Sequence, residues 1–210
     1  KETPKFYKKE ISGTTVTNTF YVPEDKVDVT IKKVWEDNNN EAGKRPDSIT
    51  LQIKDEDTVI DEYVVTSADS WKHTFTVPKY DENADEITYT ADELELNKFY
   101  QKTISGTTVT NTFGVPTETI DITSTKVWND NNDKAGKRPE SVTLQIKNGN
   151  SIVEEIKVTA ENNWTATFTD LPKYNNLGNE ISYTVDEKET PKFYKKEISG
   201  TTVTNTFYVP

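Results

Sequence analysis

The sequence predicts an all-β chain made of tandem immunoglobulin-like β-sandwiches. Three observations support this. Motifs recur at a fixed spacing: Lys33-Val34-Trp35 returns as Lys126-Val127-Trp128, and Gly43-Lys44-Arg45-Pro46 as Gly136-Lys137-Arg138-Pro139, each 93 residues on. Such a period marks one folding unit written twice. Within each period about seven short runs rich in Val, Ile, Thr, Tyr and Phe are separated by Gly-, Asn- and Asp-rich turns, the pattern of an antiparallel sandwich. No comparable run has its apolar residues at helical spacing.

In the first unit the strand signals cover 27–35, 48–54, 59–66, 71–77, 87–93, 98–104 and 107–113. They return at 120–128, 141–147, 152–158, 164–169, 181–187, 192–198 and 201–207. Units of 24–116 and 117–210 have the usual size of a small single-core domain. Val22-Pro23-Glu24-Asp25 and Val115-Pro116-Thr117-Glu118 are the expected linkers; proline stiffens them, so the units should form a segmented rod. Residues 1–23 are the same string as 188–210, KETPKFYKKEISGTTVTNTFYVP. They are too short to fold alone and are expected to be the closing hairpin of a preceding repeat. The chain then reads as a slice of a longer array, its anchor and export signals lying outside the slice.

Composition narrows the function. There is no cysteine, so disulfides and thiolate zinc sites are out. The net charge is −11, with 36 acidic residues interspersed among 25 basic ones, which argues against nucleic acid and against an anionic membrane. No apolar run is long enough to cross a membrane as a helix. No cofactor or metal is expected, and no phosphate loop or Ser-His-Asp set occurs in both copies. Asp37-Asn38-Asn39-Asn40-Glu41 has part of a calcium-loop spacing. It lacks the loop glycine and the terminal glutamate, and Lys134 replaces Glu41 in the copy, so it reads as a polar turn. His73 is the only histidine; its counterpart is Ala166, so it reads as core filler.

Side chains alternate across a strand, so parity assigns the faces. Lys33 shares the apolar parity of Val27, Val29, Ile31 and Trp35, and Lys126 that of Ile120, Ile122 and Trp128. Asn111 lies between Val109 and Phe113, and Asn205 between Val203 and Phe207. Glu93 follows Ile87, Tyr89 and Ala91, and Glu187 follows Ile181, Tyr183 and Val185. Each unit thus turns one Lys, one Glu and one Asn inward, where charges and amides must satisfy one another or be neutralised. Burial lowers a lysine pKa and raises a glutamate pKa. A neutral amine held against an amide, beside an acid that passes protons, can displace ammonia and leave an isopeptide bond. Proximity in the fold can supply about 7–11 kcal/mol of that barrier. The plainer alternative is an unreacted Lys–Glu pair hydrogen-bonded to Asn.

These residues carry a family resemblance. Lys-Val-Trp, Asp-Asn-Asn with Gly-Lys-Arg-Pro, Leu-Pro-Lys-Tyr (171–174), Tyr-Thr-Val-Asp-Glu (183–187) and Val-Thr-Asn-Thr-Phe (203–207) resemble the Cna B-type domains of Gram-positive collagen adhesins and related pilins. The first unit departs at Val-Pro-Lys-Tyr (77–80) and Tyr-Thr-Ala-Asp-Glu (89–93), leaving the three candidate reactants intact. The resemblance implies an inverse immunoglobulin topology and a self-formed bond joining Lys33 to Asn111 and Lys126 to Asn205, with Glu93 and Glu187 as catalytic acids. It implies a stalk segment on a cell surface, anchored to the cell wall through regions outside this chain, with neighbouring repeats as partners. Turnover of a substrate is not expected. The alternative is an adhesive module that binds a host matrix protein directly. Asn18 matches Asn111 and Asn205, but its Lys and Glu would lie upstream of residue 1.

Overall fold

The computed structural model describes residues 2–209 and divides into two compact units, Lys1–Gly114 and Val115–Pro210. The first opens on a hairpin, β1 (Tyr7–Ser12) and β2 (Thr15–Phe20). It turns at Gly13, whose φ of 61° suits a residue without Cβ. These two strands pair only with each other and are exposed throughout. Phe6, just ahead of them, meets Tyr80 edge-on at 5.3 Å.

The sandwich of this unit follows as β3 (Lys26–Glu36), β4 (Ser48–Asp55), β5 (Thr58–Thr66), β6 (Lys72–Pro78), β7 (Tyr89–Glu93), β8 (Tyr100–Ser105) and β9 (Thr108–Phe113). One sheet has the order β6-β3-β9-β8 and the other β5-β4-β7. The second unit repeats the plan with β10 (Thr119–Asn129), β11 (Ser141–Asn148), β12 (Ser151–Thr159), β13 (Thr165–Pro172), β14 (Tyr183–Glu187), β15 (Tyr194–Ser199) and β16 (Thr202–Phe207). Its sheets run β13-β10-β16-β15 and β12-β11-β14.

Two expectations need correction. The sandwich is not wholly antiparallel: β9 runs parallel to β3, and β16 parallel to β10. Parallel neighbours need a long crossover, and here nearly the whole unit is that crossover, so the first and last strands lie side by side. Four strands also begin two residues later than their signals: those expected at 87–93 and 181–187 start at Tyr89 and Tyr183, and those expected at 98–104 and 192–198 start at Tyr100 and Tyr194. Ile87 and Ile181 instead donate their amides to the carbonyls of Lys79 and Lys173, at 3.0 and 2.9 Å, closing a loop before each strand.

The two sheets of each unit close over one apolar core. In the first, Ile31, Leu51, Ile53, Val65, Phe75 and Val109 are buried; in the second, Leu144, Ile146, Val158, Phe168 and Val203. β-branched and aromatic residues supply most of these because they pack well on a pleated face. Ser124 stands where the first unit has Ile31, and its hydroxyl donates to the Thr201 carbonyl at 2.9 Å, so no polar group is orphaned. His73 is half-buried, as its parity predicts, stacked on Tyr63 with ring centroids 3.7 Å apart. Truncating Leu144 to Ala should destabilise the second unit by about 2–5 kcal/mol. The same change at exposed Ile152 should stay within roughly 0.5 kcal/mol. Denaturant titration of the two variants checks the contrast.

Candidate functional site

Lys33, Glu93 and Asn111 meet between the two sheets, and so do Lys126, Glu187 and Asn205. All six are at most 3% exposed. Register explains the meeting. In the parallel pair Lys33 lies beside Val109 and Trp35 beside Asn111, so Lys33 and Asn111 are diagonal neighbours on one face. Lys126 and Asn205 repeat the relation. The acids come from the opposite sheet, at the last residue of β7 and of β14.

In the first unit Glu93 Oε2 stands 3.1 Å from Lys33 Nζ, without hydrogen-bond alignment. Asn111 Nδ2 donates to Glu93 Oε1 at 3.2 Å. In the second, Asn205 Nδ2 donates to both oxygens of Glu187, at 3.1 and 3.0 Å. Lys126 Nζ lies 3.9 Å from Glu187 Oε1 and donates to the carbonyls of Val127 and Val203. Both amide oxygens, Asn111 Oδ1 and Asn205 Oδ1, are buried without a hydrogen-bond partner in the protein. Each amine sits 4.4 Å from the centre of an indole ring, Trp35 or Trp128.

The electrostatics follow from burial. Desolvation pulls the Lys33 and Lys126 amines down to about 8, against the pull of the facing glutamates toward the charged form. Desolvation also raises the Glu187 carboxyl above its ordinary value. Each acid's strand is pinned from behind. Lys102 donates to the Glu93 carbonyl at 3.0 Å and pairs with Asp92; Lys196 donates to the Glu187 carbonyl at 3.2 Å and pairs with Asp186.

A second duplicated cluster roofs the site, and sequence reasoning missed it. Asp37, read as part of a polar turn, is buried. It accepts a two-pronged contact from the Arg45 guanidinium, the Tyr100 hydroxyl at 3.0 Å and the Asn40 amide at 3.0 Å. Asp130, Arg138, Tyr194 and Asp133 reproduce it. Arg45 and Arg138 lie 5.3 and 5.5 Å from the centres of the Trp35 and Trp128 rings. The Asn38-Asn39-Asn40 run has positive φ at every residue, a backbone that Asn tolerates better than most. It folds the loop back so that Arg45 reaches Asp37. The available signal was the recurrence of Asp37, Arg45 and Tyr100 at matching places in the copy. Among the described residues no group of three or more His, Cys, Asp or Glu side chains could hold a metal ion. Asn18 is exposed on β2, away from any such cluster.

The Arg138 guanidinium brings the Asp130 carboxyl down to about 2. An acid depressed in the folded state adds stability that is full above its unfolded value of about 3.9 and is lost as pH falls toward the folded value. Stability of the second unit should therefore decline between about pH 4 and pH 2. Asp130→Asn should cost about 1.5–3 kcal/mol at neutral pH and flatten part of that decline. Denaturant titrations at a series of pH values check both.

Comparison with known proteins agrees with this architecture. The model of the Cna protein B-type domain matches residues 29–112 and 122–206. A collagen adhesin of Staphylococcus aureus is 36% identical over 207 residues; the match takes in 97% of this chain and 17% of that protein's length. The crystal structure of two B repeat units of the Staphylococcus aureus collagen binding protein is 34% identical, with a TM-score of 0.52 over 97% of this chain and 55% of that one. With both units matched over nearly all of their strands, the chain belongs to the Cna protein B-type domain family.

Proposed function

We propose that each unit welds its first strand to its last, through Lys33–Asn111 and Lys126–Asn205, and that the chain is a load-bearing stalk segment of a cell-surface adhesin. The observation that carries this reading is the amine, acid and amide buried together twice, at the same strand positions. Glu93 or Glu187 takes a proton from the lysine, whose pKa of about 8 leaves roughly a tenth of the amines uncharged at neutral pH. The free pair on Nζ attacks the Asn Cγ, the Cγ–Nδ2 bond breaks, and ammonia leaves. The glutamate, already bonded to Nδ2, returns the proton to the departing nitrogen. One amide is exchanged for another, so neither oxidant nor cofactor is required. Each unit reacts once, as a structural element rather than an enzyme.

The repeat boundaries we propose are 24–116 and 117–210, with residues 1–23 as the closing hairpin of a further repeat. A module that binds host matrix directly is the weaker reading, because the exposed apolar residues of β5 (Val59, Ile60, Tyr63 and Val64) are only partly repeated on β12. Such a cross-link would restrict the unfolded chain by about 4–5 kcal/mol, but its larger effect is mechanical. Tension entering β3 would leave through β9 by a covalent path, bypassing the residues between.

Intact mass should fall below the sequence mass by two ammonias, and Lys33→Ala or Glu93→Ala should restore one. A full sequence mass for the wild-type chain would overturn the reading. In single-molecule pulling the wild-type units should not open, whereas Glu93→Gln with Glu187→Gln should give two steps of roughly 300 Å, the reach of about ninety extended residues.

A further inference from the structure

Two lysines outside the reacting set stand beside it in matching places. Lys102 lies directly opposite Asn111 in the β8–β9 hairpin, and Lys196 opposite Asn205 in β15–β16. Opposite residues of an antiparallel pair share a face, so each lysine starts from the same inward face as its amide. β8 is the outer strand of that sheet and β7 an outer strand of the other; β15 and β14 repeat the arrangement. The lysines cross from one sheet to the other along this side.

What they reach there is the backbone of the acid. The Glu93 carbonyl accepts from Lys102 Nζ at 3.0 Å, and the Glu93 amide donates to Asp92 Oδ1 at 2.8 Å. Asp92 is itself paired with Lys102, and Lys54 reaches its other oxygen at 3.4 Å. Glu187 is held in the same way, its carbonyl by Lys196 at 3.2 Å and its amide by Asp186 at 2.8 Å, with Lys147 on the second Asp186 oxygen. β7 and β14 are five residues long and pair with a strand on one side only. Short edge strands open easily; the Lys–Asp pair fastens these two at the residue that carries the acid. The neighbours of the lysine vary between the copies, Gln101 and Thr103 becoming Lys195 and Glu197, yet the lysine between them stays.

We propose that Lys102 and Lys196, each with its aspartate partner, are positioning residues for the cross-link, fastening the acid's strand from the opposite sheet so that the carboxyl meets both amide and amine. The inference rests on the cross-link reading above. Charge works in the same direction. Burial is the main reason the Lys33 and Lys126 amines fall to about 8; Glu93 with Asp37, and Glu187 with Asp130, oppose it, while the charge on Lys102 or Lys196 adds to it. Arg45 and Arg138 also stand near, beside the indole rings. A second cation close to an amine favours its uncharged form, which is the form that attacks. Removing the lysine would therefore loosen the acid and leave less of the nucleophile uncharged at a given pH.

The test follows ammonia loss by intact mass and peptide mapping in full chains made by cell-free synthesis, from the moment of synthesis and at a series of pH values. In Lys102→Met the Lys33–Asn111 bond should form at least about tenfold more slowly, and its rate should rise at higher pH than in the wild-type chain. The Lys126–Asn205 bond of the same chain should form at the wild-type rate and serves as internal control. Lys102→Arg keeps the charge and the donors, and should restore the pH profile and most of the rate. Should Lys102→Met lose the fold of its unit, Lys102→Gln, which keeps a donor without the charge, takes its place. An unchanged rate overturns the proposal, as does a slower rate that arginine does not rescue or whose pH profile does not move; the control bond then leaves the cross-link reading standing. If neither unit of the wild-type chain loses ammonia, the underlying reading has failed.

Discussion

The parallel contact between the first and last strands of each unit is the constraint on which the rest depends. It brings Lys33 and Asn111 onto one face although 77 residues lie between them. A hairpin could not do this, because a hairpin joins strands that are neighbours in sequence and antiparallel. The sheet-to-sheet packing then brings the β7 acid over the same spot. Moving β9 by one residue against β3 would turn Asn111 to the opposite face and leave an acid and an amine with no amide between them.

Energetically, the buried triad is a poor stabiliser as it stands. Desolvating an amine and a carboxylate costs several kcal/mol each, and a buried ion pair is often matched or bettered by apolar side chains of similar volume. The two units do not even hold their lysines alike: Lys33 faces Glu93 at 3.1 Å, whereas Lys126 leans on two carbonyls with Glu187 at 3.9 Å. Both leave an amide oxygen unpartnered. Two copies of a costly arrangement, with buried groups incompletely paired, are what the proposed cross-link would account for and static stability alone would not. An indole lies 4.4 Å from each amine, and the arginine of an Arg–Asp pair lies 5.3 or 5.5 Å from the same ring, so the two duplicated clusters adjoin in both units.

Much of this was legible in the sequence, for a physical reason. A strand's period of two is short and rigid, so a polar residue at apolar parity stands out within five residues, as Lys33, Glu93 and Asn111 do. Parity says nothing about pairing partners, so the parallel seam between β3 and β9 stayed hidden behind an antiparallel expectation. Loops have no period at all. Asp37 looked like a solvated turn residue because its burial is made by Arg45 and Tyr100, which reach it from eight and 63 residues away. The late start of β7 escaped notice because Ile87 is apolar and correctly spaced, yet its amide is spent on a loop contact.

The two copies also show where the fold tolerates change. β9 and β16 are the same six residues, and β4 and β11 differ at two of eight positions. These strands line the core on which the site is built. β5 and β12 share only three of nine, and most of their side chains are exposed at the edge of the smaller sheet, Val65 and Val158 being the buried exceptions. An edge strand that packs little against the core contributes little to closing the unit, so its sequence drifts within the limits of β propensity. If load passes from β3 directly to β9, β5 also lies off the path that tension takes. Within one molecule, the strand that differs between the copies lies at a sheet edge, and the strand that does not differ pairs directly with the first strand.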